Sequence, residues 1–339
     1  MSDLPSPRER INQVGRKELE HRLRTTLDSG VLSHGWIIAG PEGAGKATLG
    51  YRIARAILAP SALIDENTLQ TRSDHRDIRL IAQNAHPDLF SAERLWNDKT
   101  SKYQSEITVE TVRKLTQFLS HTAGFGGARV AIVDTADDLN RNAANALLKA
   151  LEEPPANTVL LLLSATPGRL LPTIRSRCRR IDLRPVANDE IINLLGEHGL
   201  AHGEDAGRIA DHAAGRPGYA LQLAAENGAE ALALVDKLIV AAQGRGDPRA
   251  IAASFSARTD ASQWSFFTAA LSDRFADAAR AVGRGRALQG PLSGARPEAL
   301  LECWEMIGPL VSRGDALNLD RSQIVTALAH DMQRILRSA

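Results

Sequence analysis

The sequence contains few cysteines: Cys178 and Cys303 are the only two among its 339 residues. They lie far apart, and neither belongs to a CxxC pair or to a Cys/His set with zinc-ligand spacing. We therefore expect neither a disulfide framework nor a zinc site. An excess of one charge is also lacking, since 41 Lys and Arg against 40 Asp and Glu leave a net charge of +1. This balance gives no argument for general attraction to nucleic acid or to an acidic membrane, so any DNA contact must be local.

Long apolar runs are absent as well. The longest stretch, residues 159–163, is far too short to cross a bilayer. Residues 1–16 carry alternating charges without the apolar segment of a secretory signal. We therefore expect a cytoplasmic protein that has no membrane partner. Its apolar fraction of 43% is that of a globular chain, and its length predicts two or three domains at about 150 residues each.

A strand, a glycine loop and a helix are predicted in succession near the start of the chain. Residues 36–39 form the apolar strand, and the glycine loop follows it directly. Beyond the loop, Leu49, Ile53 and Ile57 recur at four-residue spacing, and Pro60 ends the helix. The spacing indicates a helix with one buried face.

Two further strands are predicted at residues 130–133 and 158–163, which are continuous apolar runs rather than alternating ones. Such runs are typical of parallel strands that are covered on both faces. Between them, Asn140 is placed to cap a helix that stops at Pro154 and Pro155. The repeated order of strand, helix and strand predicts a doubly wound α/β domain with a parallel sheet.

The remainder of the chain has helical periodicity, most clearly at residues 189–195, 206–213 and 231–242. Residues 244–248 read as a linker. We expect the core of the last segment to contain Trp264, Phe266, Phe267, Leu271, Trp304, Ile307 and Leu310. The predicted domains are residues 1–184, 185–246 and 247–339.

The glycine loop carries a phosphate-binding pattern. Residues 40–46 read GPEGAGK and match the first seven positions of GxxxxGK[ST], between a strand and a helix as that pattern requires. Gly40, Gly43 and Gly45 allow backbone N–H groups to converge on phosphate oxygens, and Lys46 can reach the β and γ oxygens. An ordinary glycine turn between strand and helix is the alternative.

The magnesium part of the pattern is incomplete. The eighth position, which should supply a hydroxyl to Mg²⁺, is Ala47. Thr48 is kept as a candidate nucleotide-site residue, although one helical position turns its side chain by about 100°. We therefore expect ATP with Mg²⁺ to be bound weakly, or the site to be vestigial.

An acid follows the predicted strand 130–133, and Asp134 is the candidate magnesium partner. The next position, where hydrolysing enzymes of this class carry a water-positioning glutamate, is Thr135. The nearby Asp137 and Asp138 are interpreted as helix N-terminal charges. The sequence thus favours a site that binds nucleotide without hydrolysing it, or the vestige of such a site.

Several motifs together resemble one known family. Residues 134–140 and 143–155 resemble the core signature of bacterial clamp-loader subunits of the AAA+ class. Residues 164–167 resemble its sensor 1, and residues 171–178 end in its Ser-Arg-Cys motif. The resemblance covers roughly residues 14–185, and it implies an AAA+ phosphate-loop domain followed by a helical lid and a helical collar.

The resemblance also implies roles for single residues. Arg177, in the Ser-Arg-Cys motif, would act in trans on the nucleotide of a neighbouring subunit, and Thr166 would be sensor 1. By charge pattern alone, Arg177 would instead belong to a solvated cluster of arginines. Arg216 lies two positions before the expected sensor 2 arginine, and we do not count it as a site residue.

Within the family, the match is to the member with a degraded catalytic acid, the stator of the complex that loads the sliding clamp in replication. The resemblance implies that it belongs to a replicative polymerase holoenzyme without ATP turnover of its own. Its implied partners are the gamma/tau and delta subunits, the sliding clamp and primed duplex DNA. The alternatives are a self-sufficient gamma/tau-like ATPase motor and a small-molecule phosphoryl transferase.

Overall fold

The computed structural model describes residues 4–30, 33–97, 102–125, 127–226, 228–255, 261–288 and 290–337. The chain divides into two compact units. The first contains residues up to 194 together with 213–219, and the second contains residues 195–212 and those from 220 onward. The predicted boundaries at 184 and 246 stay predictions.

Seven strands and six helices lie before residue 185 in the described part of the chain. The strands are β1 (Gly35–Ala39), β2 (Leu89–Glu93), β3 (Trp96–Asn97), β4 (Lys102–Tyr103), β5 (Arg129–Asp134), β6 (Thr158–Ser164) and β7 (Arg179–Asp182). The helices are α1 (Lys17–Asp28), α2 (Lys46–Leu58), α3 (Arg76–Ala82), α4 (Val109–Ser120), α5 (Arg141–Glu152) and α6 (Pro172–Arg175).

Five of the strands form one parallel sheet in the order β2-β5-β6-β1-β7. All seven residues of β6 are buried, as are the first five of β5, which explains their continuous apolar sequence. Apolar clusters cover both faces: α1 and α2 contribute to one cluster, and α4 and α5 to the other. The prediction of an α/β fold with a parallel sheet is confirmed.

The predicted cap of α5 is present. The side-chain oxygen of Asn140 accepts a hydrogen bond from the backbone N–H of Ala143 at 2.9 Å. Ala143, Leu147 and Leu151 then face the core at helical spacing. This cap fixes where α5 starts and therefore where its last residue, Glu152, lies.

The rest of the described chain is helical, as predicted. Its helices are α7 (Asn188–Glu197), α8 (Gly203–Ala213), α9 (Pro217–Ala225), α10 (Gly228–Ala242), α11 (Pro248–Ala253), α12 (Ala261–Gly283), α13 (Pro297–Ala316) and α14 (Arg321–Arg337). No helix within the described ranges is both long and apolar enough to span a bilayer.

Among the predicted core residues of the C-terminal helices, Trp304 is wrong and Leu310 is only half-buried. Phe267 and Leu271 are fully buried, but the side chain of Trp304 is 44% exposed. The buried stripe of α13 passes through Cys303 and Ile307. Trp304 is turned by about 100° from Cys303, which places it at the margin of that stripe.

Asn140→Ala removes the cap of α5. We expect the free energy of unfolding to fall by about 1 kcal/mol, because one backbone N–H at the helix start loses its partner. Denaturant unfolding measures the change. Asn142→Ala, at an exposed position in the same first turn, is the matched control and should be neutral or slightly stabilising. Equal losses in both variants would contradict the capping role.

Candidate functional site

Three of the predicted segments meet at the carboxyl edge of the sheet. The glycine loop follows β1, Asp134 ends β5, and Thr166 lies two residues beyond β6. These strands are neighbours in the order β5-β6-β1 and run parallel, so their carboxyl ends lie side by side. The fold therefore brings these predicted nucleotide-site residues together.

The glycine loop has the backbone of a phosphate cradle. Gly43 and Gly45 have φ angles of 76° and 91°, a left-handed conformation that glycine adopts without steric cost. Gly45 precedes α2, and no side chain caps that helix start. The first turn of α2 therefore keeps N–H groups of the kind that bind anions.

Lys46, which would reach a bound phosphate, bonds instead to the loop itself. Its Nζ donates to the carbonyl oxygens of Gly40 at 2.8 Å and Pro41 at 3.0 Å. Burial lowers the pKa of Lys46, while the nearby carboxylates of Asp134 and Asp137 act in the opposite direction. A phosphate would have to replace the two carbonyl contacts.

The start of α9 packs directly on the loop. The N–H of Gly218 donates to the carbonyl of Gly43 at 2.8 Å. A methyl group added to the Gly43 α-carbon would lie only 2.6 Å from the Cβ of Tyr219. The guanidinium of Arg216 lies 4.2 Å from the centre of the Tyr219 ring. Arg216, excluded from the sequence-based site, thus lies beside the residue that covers the loop.

Arg16 and Gln13, which precede α1, also lie against the loop, and no sequence motif predicted them. Arg16 is buried and donates to the carbonyls of Ala44, at 3.0 Å, and Arg184. The amide of Gln13 is buried near Gly45, and neither of its polar atoms has a hydrogen-bond partner among the described residues. Both contacts join segments remote in sequence, which local pattern does not reveal.

The magnesium side of the site has one carboxylate at the expected place. Burial, followed by the charge of Glu93 on the neighbouring strand, raises the pKa of Asp134 to about 6. Ala47 offers no oxygen, and Thr48 is buried in α2. The loop therefore fits a phosphate group, but this set does not fit a tightly held Mg²⁺, because Asp134 is the only predicted ligand that remains.

Asp137 is not a helix N-terminal charge, and that interpretation is wrong. It lies in a single turn before α5. Its carboxylate accepts hydrogen bonds from the last residue of β6 and from the two residues that follow that strand. The donors are the Ser164 hydroxyl at 2.8 Å, the Ala165 N–H at 2.5 Å, and the hydroxyl and N–H of Thr166 at 3.0 and 3.3 Å.

These bonds have two consequences at the site. Burial opposes ionisation of Asp137, but the hydrogen bonds outweigh it and lower its pKa. The hydroxyl of Thr166, the predicted sensor 1, is directed to Asp137. Thr135, where a catalytic glutamate would stand, donates its hydroxyl to the Leu163 carbonyl at 2.8 Å. The carboxylate of Asp137, two residues beyond Thr135, is thus already engaged by hydrogen bonds within its own chain.

Arg177 lies at the opposite edge of the sheet. It follows α6 and precedes β7 by two residues, and Arg179 of β7 pairs in register with Trp36 of β1. Arg177 is therefore at the amino edge, whereas the glycine loop continues from the carboxyl end of β1. The four paired residues between the edges span about 13 Å.

The side chain of Arg177 is 36% exposed and has partners within its own chain. Its guanidinium donates to the Thr173 carbonyl at 2.9 Å and pairs with Glu152 at 2.9 Å. The neighbouring Cys178 packs against Gly35, and burial raises the pKa of its thiol to about 11, as expected for an unreactive cysteine. Arg177 is thus held at the surface in a defined place.

Comparison with known proteins identifies the family of this chain. Residues 15–187 match the model of the family described as DNA polymerase III, delta subunit. The DNA polymerase III subunit delta' of Pseudomonas aeruginosa is 40% identical over 148 residues, covering 43% of this chain and 42% of that protein. The subunit of the same name from Escherichia coli is 33% identical over 203 residues, covering 60% of this chain and 58% of that protein.

The chain thus spans about half the length of these curated relatives. Among solved structures, a DNA polymerase III gamma subunit-related protein from Thermotoga maritima is 15% identical with a TM-score of 0.48, covering 92% of this chain and 98% of that one. The family match extends over more than half of the sequence, from just before α1 to just beyond β7. This chain therefore belongs to the DNA polymerase III delta subunit family of clamp-loader proteins.

Proposed function

We propose that this chain is a delta-prime-like stator of the clamp loader, which helps to load the sliding clamp onto primed DNA and supplies Arg177 to a neighbouring subunit's nucleotide. The observation that carries the proposal is the position of Arg177. It is partly exposed at the amino edge of the sheet, while the phosphate loop of the same chain lies at the carboxyl edge. An arginine placed there is remote from its own phosphate loop and is accessible to a nucleotide that another subunit holds.

The chemistry of a guanidinium suits that role. Charge accumulates on the transferred phosphoryl group during ATP hydrolysis, and a planar cation with several N–H donors stabilises it. The ion pair of Arg177 with Glu152 is partly exposed, with 36% and 49% of the two side chains accessible. Such pairs contribute little, at most about 1 kcal/mol, so a phosphate can replace the carboxylate at low cost.

The chain's own nucleotide site supports a stator rather than a motor. Ala47 and Thr135 occupy the magnesium and water-activating positions. Asp137 accepts hydrogen bonds from the end of β6 and from the two residues after it. The site is accordingly proposed to bind ATP with Mg²⁺ weakly or not at all, and to lack turnover. No zinc is proposed.

The partners follow from the same proposal. The gamma/tau subunits would receive Arg177, the delta subunit would complete the complex, and the sliding clamp and primed DNA would be its substrates in the cytoplasm. Contact with duplex DNA would be local, because the chain's net charge is only +1, and as the family resemblance implies it would be directed at backbone phosphates.

Arg177→Ala tests the proposed trans role. We expect normal folding and assembly but a loss of DNA-stimulated ATP hydrolysis at the motor site that Arg177 serves, by a factor on the order of a thousand. The total rate of ATP hydrolysis by the assembled loader should fall by the fraction that this one site contributes. Arg175→Ala, a neighbouring exposed arginine on α6, is the control and should behave as wild type. Unchanged hydrolysis with Arg177→Ala would refute the role.

Glu152→Gln tests whether the carboxylate of Glu152 competes with phosphate for Arg177. The neutral amide keeps the size of the side chain but competes less with phosphate, so the concentration of ATP that half-saturates hydrolysis should fall, by up to about fivefold. Glu153→Gln, one residue on and exposed, should change nothing. An increase for Glu152→Gln would show that the carboxylate positions Arg177 for catalysis instead.

Lys46→Ala separates the stator from the gamma/tau-like motor. Because Ala47 and Thr135 leave this site without the magnesium hydroxyl and the water-activating acid, we expect the assembled loader to hydrolyse ATP at the wild-type rate. Circular dichroism checks that the variant folds. If the isolated wild-type chain hydrolyses ATP and the Lys46→Ala variant does not, the chain is a gamma/tau-like motor instead.

A further inference from the structure

Arg8 reaches the carboxyl edge of the sheet from the segment before α1. Its Nε donates to the hydroxyl of Tyr51 on α2 at 2.9 Å, and its guanidinium pairs with the carboxylate of Glu93, the last residue of β2. Glu93 is the register partner of Asp134, the candidate magnesium partner at the end of β5. A cation of the chain itself therefore lies beside the two acids that end these neighbouring strands.

Both the backbone and the side chain of Arg8 are held in place. The guanidinium of Arg55, which is only 1% exposed, donates to the Arg8 carbonyl at 2.8 Å. The Tyr51 hydroxyl that accepts from Arg8 also lies 3.1 Å from the hydroxyl of Ser91, which in turn donates to Glu93 at 2.6 Å. The ion pair of Arg8 and Glu93 thus belongs to a network that joins α2, β2 and the segment before α1.

The same side of α2 carries the position that should supply a magnesium ligand. Ala47 and Tyr51 are four residues apart, so their side chains lie on one face of the helix. A helical side chain leans toward the start of its helix, which brings Tyr51 back toward the turn that contains Ala47. Arg8, bonded to the Tyr51 hydroxyl, therefore lies on the side of α2 where the phosphate-loop pattern expects a metal ligand.

The other acids of this edge are engaged as well. Asp138 pairs with Arg94 at 3.1 Å, and Asp137 accepts hydrogen bonds from the end of β6 and from the two residues after it. Within the described ranges, no three His, Cys, Asp or Glu side chains are grouped so that they could hold a metal ion. Mg²⁺ requires several oxygen ligands, and without breaking an existing pair it would gain only Asp134 here.

The groups that would bind phosphate are, in contrast, available. Gly43 and Gly45 give the loop its cradle, and the first turn of α2 has no side-chain cap. The amide of Gln13 is buried against Gly45, without a hydrogen-bond partner among the described residues. Buried amides almost always have partners, so this one points to a molecule bound at the loop.

We infer that the phosphate loop binds ATP through its phosphate chain without Mg²⁺, and that the ion pair of Arg8 with Glu93 provides the charge balance beside Asp134 that a metal would otherwise provide. Free ATP carries more negative charge than its magnesium complex, so the loop N–H groups and Lys46 attract it more strongly. The inference rests on the proposed function, which takes ATP as the nucleotide of this loop.

Fluorescence of mant-ATP, titrated with the purified full chain in EDTA and in excess MgCl₂, tests the inference. We expect the nucleotide to bind at least as tightly in EDTA as in MgCl₂, because the added metal finds no free set of ligands. Lys46→Ala should weaken binding in both buffers, which places the nucleotide at the loop. Tighter binding in MgCl₂, no binding in EDTA, or binding in EDTA that ignores Lys46→Ala would each overturn the inference.

Arg8→Gln tests the ion pair. It leaves the Glu93 carboxylate unpaired beside Asp134, so binding in EDTA should weaken about fivefold, and MgCl₂ should restore part of the loss. Arg8→Lys keeps the charge and should behave as wild type. Arg10→Gln is the matched control, because Arg10 lies in the same segment but its side chain bonds to the Pro5 carbonyl.

Two results would show that Arg8 only anchors the segment before α1 and would overturn its role. The first is a loss of affinity in Arg8→Gln that is equal in EDTA and in MgCl₂. The second is the same loss in Arg10→Gln. Circular dichroism checks that each variant folds.

Glu93→Gln provides a second test that does not depend on the folding of Arg8→Gln. It removes one of the two neighbouring acids and leaves the cation of Arg8 in place, so ATP should bind more tightly in EDTA, by up to about fivefold. Unchanged or weaker binding in EDTA would contradict the charge balance.

The inference and the stator proposal fail separately. Metal dependence is measured as binding by the isolated chain, whereas the role of Arg177 is measured as hydrolysis by the assembled loader. If ATP binding requires MgCl₂ while loader hydrolysis depends on Arg177, only the inference falls. If hydrolysis is independent of Arg177, the stator proposal falls whatever the loop binds.

Discussion

The parallel pairing of β7 with β1 is the constraint on which the functional reading depends. In a parallel pair, whatever precedes one strand lies at the opposite edge from whatever follows the other. Arg177 precedes β7 and the glycine loop follows β1, so one chain cannot bring this arginine to its own phosphate loop. The register Trp36 with Arg179 fixes this separation, and Ile174, buried in α6, anchors the segment just before Arg177.

The second feature of the structure is how completely the phosphate-loop region bonds to its own chain. Here Lys46 donates to loop carbonyls and Asp137 accepts from Ser164, Ala165 and Thr166. Gly218 and Arg16 hold the loop from two other segments. These contacts join the loop to the segment before α1 and to the start of α9.

Much of this could be predicted from sequence because it depends on local pattern. The strands, the Asn140 cap and the meeting of the glycine loop, Asp134 and Thr166 at one edge follow from apolar periodicity and from the geometry of parallel strands. The place of Arg177 depended on the resemblance, since charge pattern alone gave a solvated cluster.

What sequence could not reveal involves contacts between segments far apart in the chain. Arg16 reaches Ala44, Gly218 reaches Gly43, and Asp137 reaches the end of β6 rather than α5. No spacing rule encodes these partners, because each depends on how the helices pack on the sheet. Trp304 shows the same limit, since its side chain lies beside the buried stripe of α13 and not on it.

Arg177 is proposed to meet the nucleotide of a neighbouring subunit, and crosslinking measures this directly. An ATP analogue with a photoreactive group on its γ-phosphate can be bound to motor subunits, assembled with this chain and irradiated, and the attachment site mapped by mass spectrometry. Attachment within residues 172–178 is the predicted result. Attachment to residues 40–46 of this chain, with none near Arg177, would contradict the account.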